Sequence, residues 1–304
     1  MPRKDIEFKT TDQVTLRGWL YTPDSPPAQT PCLVMAHGWA CIKEMELPKL
    51  AEHFTTHLPI SVLVYDHRGF GASDTAPNCP RREIVPAEQV SDMSDAVTHA
   101  ASLEEIDATK IGVWGYSFAG GHAISTGASD PRVKAVIAQN PVVSGWQNVR
   151  RLMSADSLEV ADAAFAADRL ARVAGEEPAR LPVAAADPSV PSSMPTAGAY
   201  KFFSEWEKKS DWKNDVTVRT CYLNLTHEPL GQIQYISPRP LLMVVAAKDV
   251  EAPADIALEA YSKAKEPKEL QLVPEAGHFD MFDDGILAKT LEVQTAFLRR
   301  WLCS

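Results

Sequence analysis

What this chain lacks narrows its role first. No cluster of lysine and arginine interrupts a sequence whose formal charge is −10. A surface of that sign repels phosphate backbones and anionic headgroups, so neither nucleic acid nor a membrane surface is an expected partner. No apolar run approaches the roughly 20 residues that cross a bilayer. The start, MPRKDIEFKTTD, carries charge without an apolar stretch and does not read as a secretory signal. The closing WLCS matches no address signal. Cys32, Cys41, Cys79, Cys221 and Cys303 are odd in number and without CxxC spacing, which predicts reduced thiols in a cytoplasmic protein, not a disulfide frame or a metal site. Neither an HExxH pair nor a phosphate-cradling glycine loop occurs, so no metal and no cofactor is expected. Nothing acidic or basic stands out that would read a peptide terminus.

What is present is ordinary in composition and ordered in pattern. The 304 residues, 45% hydrophobic and 23% charged, suffice for one large α/β domain or two small ones. Residues 5–21 read as a hairpin turning near Thr11-Asp12, with Val14, Leu16 and Leu20 alternating. A proline-rich connection follows. The run CLVMA at 32–36, the run at 61–65, the strand leading into the turn at 115, the run at 133–138 and PLLMVVAA at 240–247 are nearly continuous apolar segments, and ELQLV at 269–273 reads as a further strand. Helical spacing separates them at 48–58, 88–104, after Ser117 to about 127, and 254–264, with a last helix at 291–302. Such alternation predicts a mostly parallel, twisted sheet covered by helices on both faces. The rhythm breaks between 142 and 237, where Ala-rich helical stretches, a Pro/Ser/Ala segment (178–199) and the aromatic YKFFSEWEKKSDW occur. This divides the chain into a core of 1–141 and 238–304 and a helical cap of 142–237.

In parallel sheets the reactive residues sit in loops at the carboxyl ends of strands. Three of those loops carry chemistry here. KIGVWGYSFAGG places Ser117 at the apex of a strand–turn–helix corner flanked by the small Gly115 and Ala119, the spacing of a nucleophile elbow. Asp249 follows PLLMVVAAK, and His278 follows ELQLV. A serine hydroxyl needs an imidazole to take its proton, and the imidazole needs a carboxylate to fix its tautomer. Two backbone N–H groups must hold the oxyanion; Phe118, just after the serine, and Trp39, in the loop after the first buried strand, are the candidates. Each piece has a plainer reading. His278 could be structural, Asp249 could cap the following helix, and Glu251, Asp255 or Asp280 could supply the acid instead. His37 and Asp66 read as loop residues and His122 as packing, while His53, His57, His67, His99 and His227 carry no pattern.

With HGW, DHRGFGASD, GYSFAG, the Asp after AAK and GHFD in place, the chain resembles an α/β-hydrolase over about residues 5–141 and 238–302. The resemblance implies Ser117 as nucleophile, Asp249 as acid and His278 as base; Ala119 replaces the commoner glycine but stays small. EFKTTDQVTLRGWLY, HGWACIKE and YDHRGFGASD further resemble the fungal polyketide-transferase-like branch, a likeness shared in part by dienelactone-hydrolase-like proteins. That implies a small-molecule acyl substrate, an ester or a carrier-bound thioester of a polyketide-like chain, hydrolysed or passed to an alcohol or amine. A carbon–carbon bond hydrolase and a non-catalytic ligand binder are the remoter alternatives. Haloalkane and epoxide chemistry fit poorly, since those relatives carry Asp where Ser117 stands. Trp146, Phe165, Tyr200, Phe202, Phe203, Trp206, Trp212 and Tyr222 concentrate in the cap. The helical spacing of Phe202, Phe203 and Trp206 suits a face packed on the core, the reading for most of them, while a lid over Ser117 lined by such residues predicts a hydrophobic acyl pocket. The oligomeric state stays open, a homodimer included.

Overall fold

The computed structural model describes residues 3–304; Met1 and Pro2, the first two residues of the expected core and of the charged N-terminal stretch, lie outside it. Strands β1 (Arg3–Lys9) and β2 (Thr15–Tyr21) form the hairpin, paired from Arg3 with Tyr21 to Lys9 with Thr15. Thr10 closes its turn by accepting from the Val14 N–H at 2.9 Å. Then come β3 (Thr30–Ala36), α1 (Leu47–His57), β4 (Ser61–Tyr65), α2 (Pro86–Ser102), β5 (Ile106–Tyr116), α3 (Phe118–Ser129) and β6 (Val133–Gln139). After a long excursion the chain returns through β9 (Leu241–Ala246), α8 (Ala254–Lys263), β10 (Lys268–Val273) and α9 (Asp284–Trp301).

The sheet runs β1-β2-β4-β3-β5-β6-β9-β10. The β2–β4 pair is antiparallel, and from β4 to β10 every pairing is parallel. Every residue of β3, β4 and β9 is buried, which is why these strands read as unbroken apolar runs and not as alternating ones. Side chains of alternating parity go to opposite faces. Cys32, Val34 and Val113 pack against Met93, Val97, Ala123 and Ile256 of α2, α3 and α8. Leu33, Met35 and Trp114 pack against Leu50, Phe54, Leu291 and Leu298 of α1 and α9. The expected α/β-hydrolase architecture, helices on both faces of a mostly parallel sheet, is the one observed.

Two elements differ from the sequence reading. α9 begins at Asp284, seven residues before the predicted 291. Asp283-Asp284-Gly285 looks like a turn, yet acidic residues suit the positive end of a helix and Gly285 is accommodated in its first turn. The stretch from 142 to 237 holds α4 (Gly145–Leu152), α5 (Ala155–Val173), α6 (Ala197–Lys209) and α7 (Val218–Asn224), and also a ribbon of two-residue strands, β7 (Arg180–Leu181) and β8 (Val216–Thr217). Among the described residues none of its strands joins the main sheet.

That stretch is tied to the loop before α2 by charge. Glu83, buried, accepts from Arg172 of α5 at 2.7 Å, Arg219 of α7 at 2.6 Å and the Thr217 hydroxyl at 2.8 Å. Asp215 binds Arg82 of the core and Arg180 of the ribbon. The parallel register sets Ala36 beside Gly115, Gly115 beside Ala138, and Ala246 beside Val273. The loops after β3, β5, β6, β9 and β10 therefore emerge at one end of the sheet.

Candidate active site

Ser117 stands between β5 and α3 with φ 58° and ψ −118°, a backbone conformation that a residue with a side chain adopts only when its surroundings force it. The turn is so tight that a Cβ at Gly115 would come within 1.8 Å of the Ala119 carbonyl oxygen. Glycine is required there. Three amides, those of Gly120, Gly121 and Val142, donate to the Ser117 carbonyl at 2.9, 3.4 and 3.0 Å, and the Ser117 amide donates to Gln139 at 2.9 Å. The strained residue is thereby held from β6 as well as from its own helix.

The loops after β9 and β10 bring their side chains to the same point. His278 Nε2 lies 2.9 Å from Ser117 Oγ, and its Nδ1 lies 2.6 Å from an Asp249 carboxylate oxygen. The other Asp249 oxygen accepts from the Ala252 N–H at 2.8 Å. All three residues are buried, and Ser117 is only 4% exposed. Burial lowers the His278 pKa, but the Asp249 charge, its hydrogen bond and the Glu251 charge together outweigh it, so the imidazole sits above its ordinary 6.5. The His278 main chain is fixed too, because its carbonyl accepts from Tyr116 Oη at 2.8 Å and Asn140 Nδ2 at 3.3 Å.

The remaining candidate acids have other occupations. Asp280 accepts from the Gly277 N–H at 2.8 Å. Asp255, exposed, pairs with Arg151. Glu251 accepts from Thr196 Oγ1 at 2.6 Å.

Gly38 approaches the serine closely, since a Cβ placed on it would meet Ser117 Cβ at 3.0 Å. This brings the Trp39 peptide toward the elbow, and the Trp39 and Phe118 rings meet edge to face at 4.9 Å. Phe118 begins α3, where N–H groups lack intrahelical partners. Among the described residues neither amide serves in a turn or cap hydrogen bond. The loop of Trp39 is anchored by a buried ion pair, with Asp66 accepting from Lys43 Nζ at 2.7 Å, from the Lys43 N–H at 2.8 Å and from the Ala72 N–H at 2.9 Å. His37 is structural: its Nε2 accepts from the His67 N–H at 3.2 Å, and burial pushes it down to about 4.

Several contributors carry no sequence signal. Trp212 Nε1 donates to the Ala40 carbonyl at 2.7 Å, and Trp39 Nε1 donates to Ser193 Oγ at 3.0 Å. Phe202 stacks on Phe279 at 4.6 Å. Partners more than 70 residues apart cannot be matched by spacing. Of the aromatics from 142 to 237, Phe203 and Trp212 are buried in the cluster that holds Trp39 and Phe118, and Phe202 and Trp206 pack against it, whereas Trp146, Tyr200 and Tyr222 face outward. Two of the histidines without a pattern, His67 and His227, are gathered here with His37 and His122: His37, His67, His122 and His227 stand in successive ring contact, with Phe118 against the last two.

Among the described residues no group of histidine, cysteine, aspartate and glutamate has the arrangement of a metal site, and all five cysteines are unpaired. No described helix is long and apolar enough to cross a membrane.

The chain is similar in sequence and fold to known proteins. Residues 31–285 match the model of the α/β-hydrolase fold. The chain is 36% identical over 303 residues to a polyketide transferase, grgF, of a Penicillium species, covering 99% of this chain and 97% of that one. It is 31% identical to a thiohydrolase of Eupenicillium brefeldianum, covering 98% and 94%. The crystal structure of the α/β-hydrolase GrgF from Penicillium sp. sh18 superposes with a TM-score of 0.84 at 34% identity, over the full length of both chains. With Ser117, Asp249 and His278 meeting at the carboxyl end of its sheet, the chain belongs to the α/β-hydrolase fold family, in the branch of the fungal polyketide transferases and thiohydrolases.

Proposed function

We propose that this protein is a serine acyl hydrolase that cleaves an ester or thioester of a hydrophobic, polyketide-derived acyl group through an acyl-Ser117 intermediate. The observation that carries the reading is the continuous chain Ser117 Oγ–His278–Asp249, with contacts of 2.9 and 2.6 Å, at the apex of a strained elbow. Ser117 Oγ bonds to the substrate carbonyl carbon while its proton passes to His278 Nε2. Asp249 holds the proton on Nδ1 and stabilises the imidazolium. The Phe118 and Trp39 N–H groups stabilise the oxyanion. As the intermediate collapses, the carbon–sulfur or carbon–oxygen bond breaks, and the Nε2 proton goes to the leaving thiol or alcohol. Water then repeats the sequence, with His278 as base, and frees the acid. Residues 142–237 act as a cap, and the apolar cluster of Trp39, Phe118, Val142, Phe203 and Trp212 supports an apolar acyl site beneath it.

A second reading keeps the same acyl-enzyme and lets an alcohol or amine replace water. The burial of Ser117 favours it, since a site closed to solvent slows hydrolysis. So do relatives named as polyketide transferase and as acyltransferase. The test mixes the protein with a medium-chain acyl thioester and follows intact mass and free acid, with Ser117→Ala alongside. Rapid acid release with little adduct identifies the hydrolase. A lasting adduct on Ser117 that added alcohols discharge identifies the transferase. No adduct and no acid from any acyl thioester or ester, with unchanged ligand binding in Ser117→Ala, would overturn both.

A further inference from the structure

Asp249 is not the only buried carboxylate in its loop. Glu251, two residues on, is equally withdrawn from solvent, and its one hydrogen bond among the described residues comes from Thr196 Oγ1. Thr196 is the N-cap of α6, accepting in turn from the Ala199 N–H at 3.1 Å. The positive end of a thirteen-residue helix therefore meets a buried negative charge across one hydroxyl. The fit leaves little slack: a Cβ on Gly198 would lie 3.1 Å from the Glu251 carboxylate and 3.6 Å from the Phe279 ring. Phe279 adjoins His278, ring centroids 5.0 Å apart, and stacks on Phe202 of α6. One helix thus touches the loop of the acid and the loop of the base.

We propose that Glu251 is a positioning residue that stabilises the His278 imidazolium beside Asp249, and that Thr196 makes this contribution depend on the docking of α6. The proposal rests on the acyl-transfer reading for its catalytic consequence, though not for the electrostatic one. The charged and titratable groups around the imidazole are few. Asp249 and Glu251 act on it from the loop after β9, and Tyr116 stands against it from the end of β5, ring centroids 4.9 Å apart, with Cys41 and Asp280 of the loops after β3 and β10 around Tyr116 in turn. Cys41 and Tyr116 are held neutral by burial, both pushed upward. Of the two carboxylates that raise the imidazole's proton affinity, Glu251 is the one without a hydrogen bond to it. A docked α6 keeps water away from Glu251, and its field on His278 is then weakly screened. With α6 displaced, solvent would screen that field and leave a weaker base.

The experiment reads the imidazole itself. His278 is titrated by NMR of ring-labelled histidine in the wild type, Glu251→Gln, Thr196→Val and Thr196→Ser, and the acid limb of acylation by an acyl thioester is measured in parallel. The expected result is a midpoint lowered by about half a pH unit or more in Glu251→Gln, lowered by less in Thr196→Val, and unchanged in Thr196→Ser, with the limb moving alike. A folded Glu251→Gln whose His278 titrates as in the wild type overturns the proposal. Should Glu251→Gln not fold, Thr196→Val decides in the same way, an unmoved midpoint refuting the dependence on α6. A shifted midpoint in a protein that forms no acyl-enzyme even as wild type would refute the acyl-transfer reading and leave the electrostatic pairing standing.

Discussion

Gly115 and Ser117 divide the strain of the elbow between them, one giving up its side chain and the other accepting a left-handed φ. Gly115→Ala drives a methyl group into the Ala119 carbonyl, backbone that cannot swing aside. A loss of about 3 kcal/mol is expected, read as a lowered denaturation midpoint. Asp249→Asn keeps the shape but offers the His278 ring an amide that can turn its donor inward, favouring the wrong tautomer. Acylation should fall on the order of 10³- to 10⁴-fold with the circular dichroism spectrum unchanged. On the proposed acyl-transfer mechanism the imidazole must be neutral to accept the serine proton. Because His278 sits above its ordinary value, the rate should rise with pH through a midpoint above 6.5, measured as kcat/KM against pH.

At the scale of elements, the 142–237 stretch reaches the loops of the site by side-chain bonds whose loss can be isolated. Trp212→Phe keeps the ring stacked on Phe203 (4.8 Å) but removes the donor to the Ala40 carbonyl. Ala40 holds a φ of 53°, unusual for a residue with a side chain, so the loop carrying Trp39 should loosen. The expected cost is about 1 kcal/mol in stability, with kcat reduced several-fold and KM little changed in steady-state assays. Glu83 is the counterpart on the other side, since it ties α5 and α7 to the core. Glu83→Gln removes the carboxylate that Arg172 and Arg219 share, leaving Arg172 paired only with Asp168 of its own helix, and should open 155–224 to limited proteolysis before the sheet unfolds.

Across the whole molecule, the burial of neutral imidazoles is expected to make the fold acid-sensitive. His37, His67, His122 and His227 are buried in one row, with ring contacts of 4.6, 5.6 and 4.9 Å. Burial pushes all four below their ordinary value, to about 4 for His37 and about 3 for His227. Their folded pKa values lie below the unfolded ones, so the unfolded chain binds more protons as pH falls. Stability is thus full above about pH 6.5 and drains below it, by roughly 1.4 kcal/mol per pH unit for each group. Thermal melts from pH 7 to 4 should show a steep fall in midpoint, and His227→Phe should reduce proton uptake on unfolding by about one.

By itself the sequence determined the layered sheet, because strands covered on both faces must be nearly continuous in apolar residues, and β3, β4 and β9 are, save Thr30 and Ser61 at the starts of β3 and β4. It also determined the order of the candidate residues: Ser117, Asp249 and His278 each follow an apolar run, and parallel strands send such loops to one end. The start of α9 was hidden because Asp-Asp-Gly suits a turn as well as a helix N-terminus. Only the tertiary structure decided which acid His278 meets, since Asp249, Glu251 and Asp280 lie in the same two loops and differ in partners that spacing does not encode. It alone joined Trp212 to Ala40, Thr196 to Glu251 and the four histidines to one another. Hydrophobic periodicity is a local property of the chain. Hydrogen bonds between side chains separated by tens of residues depend on how the whole sheet and its helices pack.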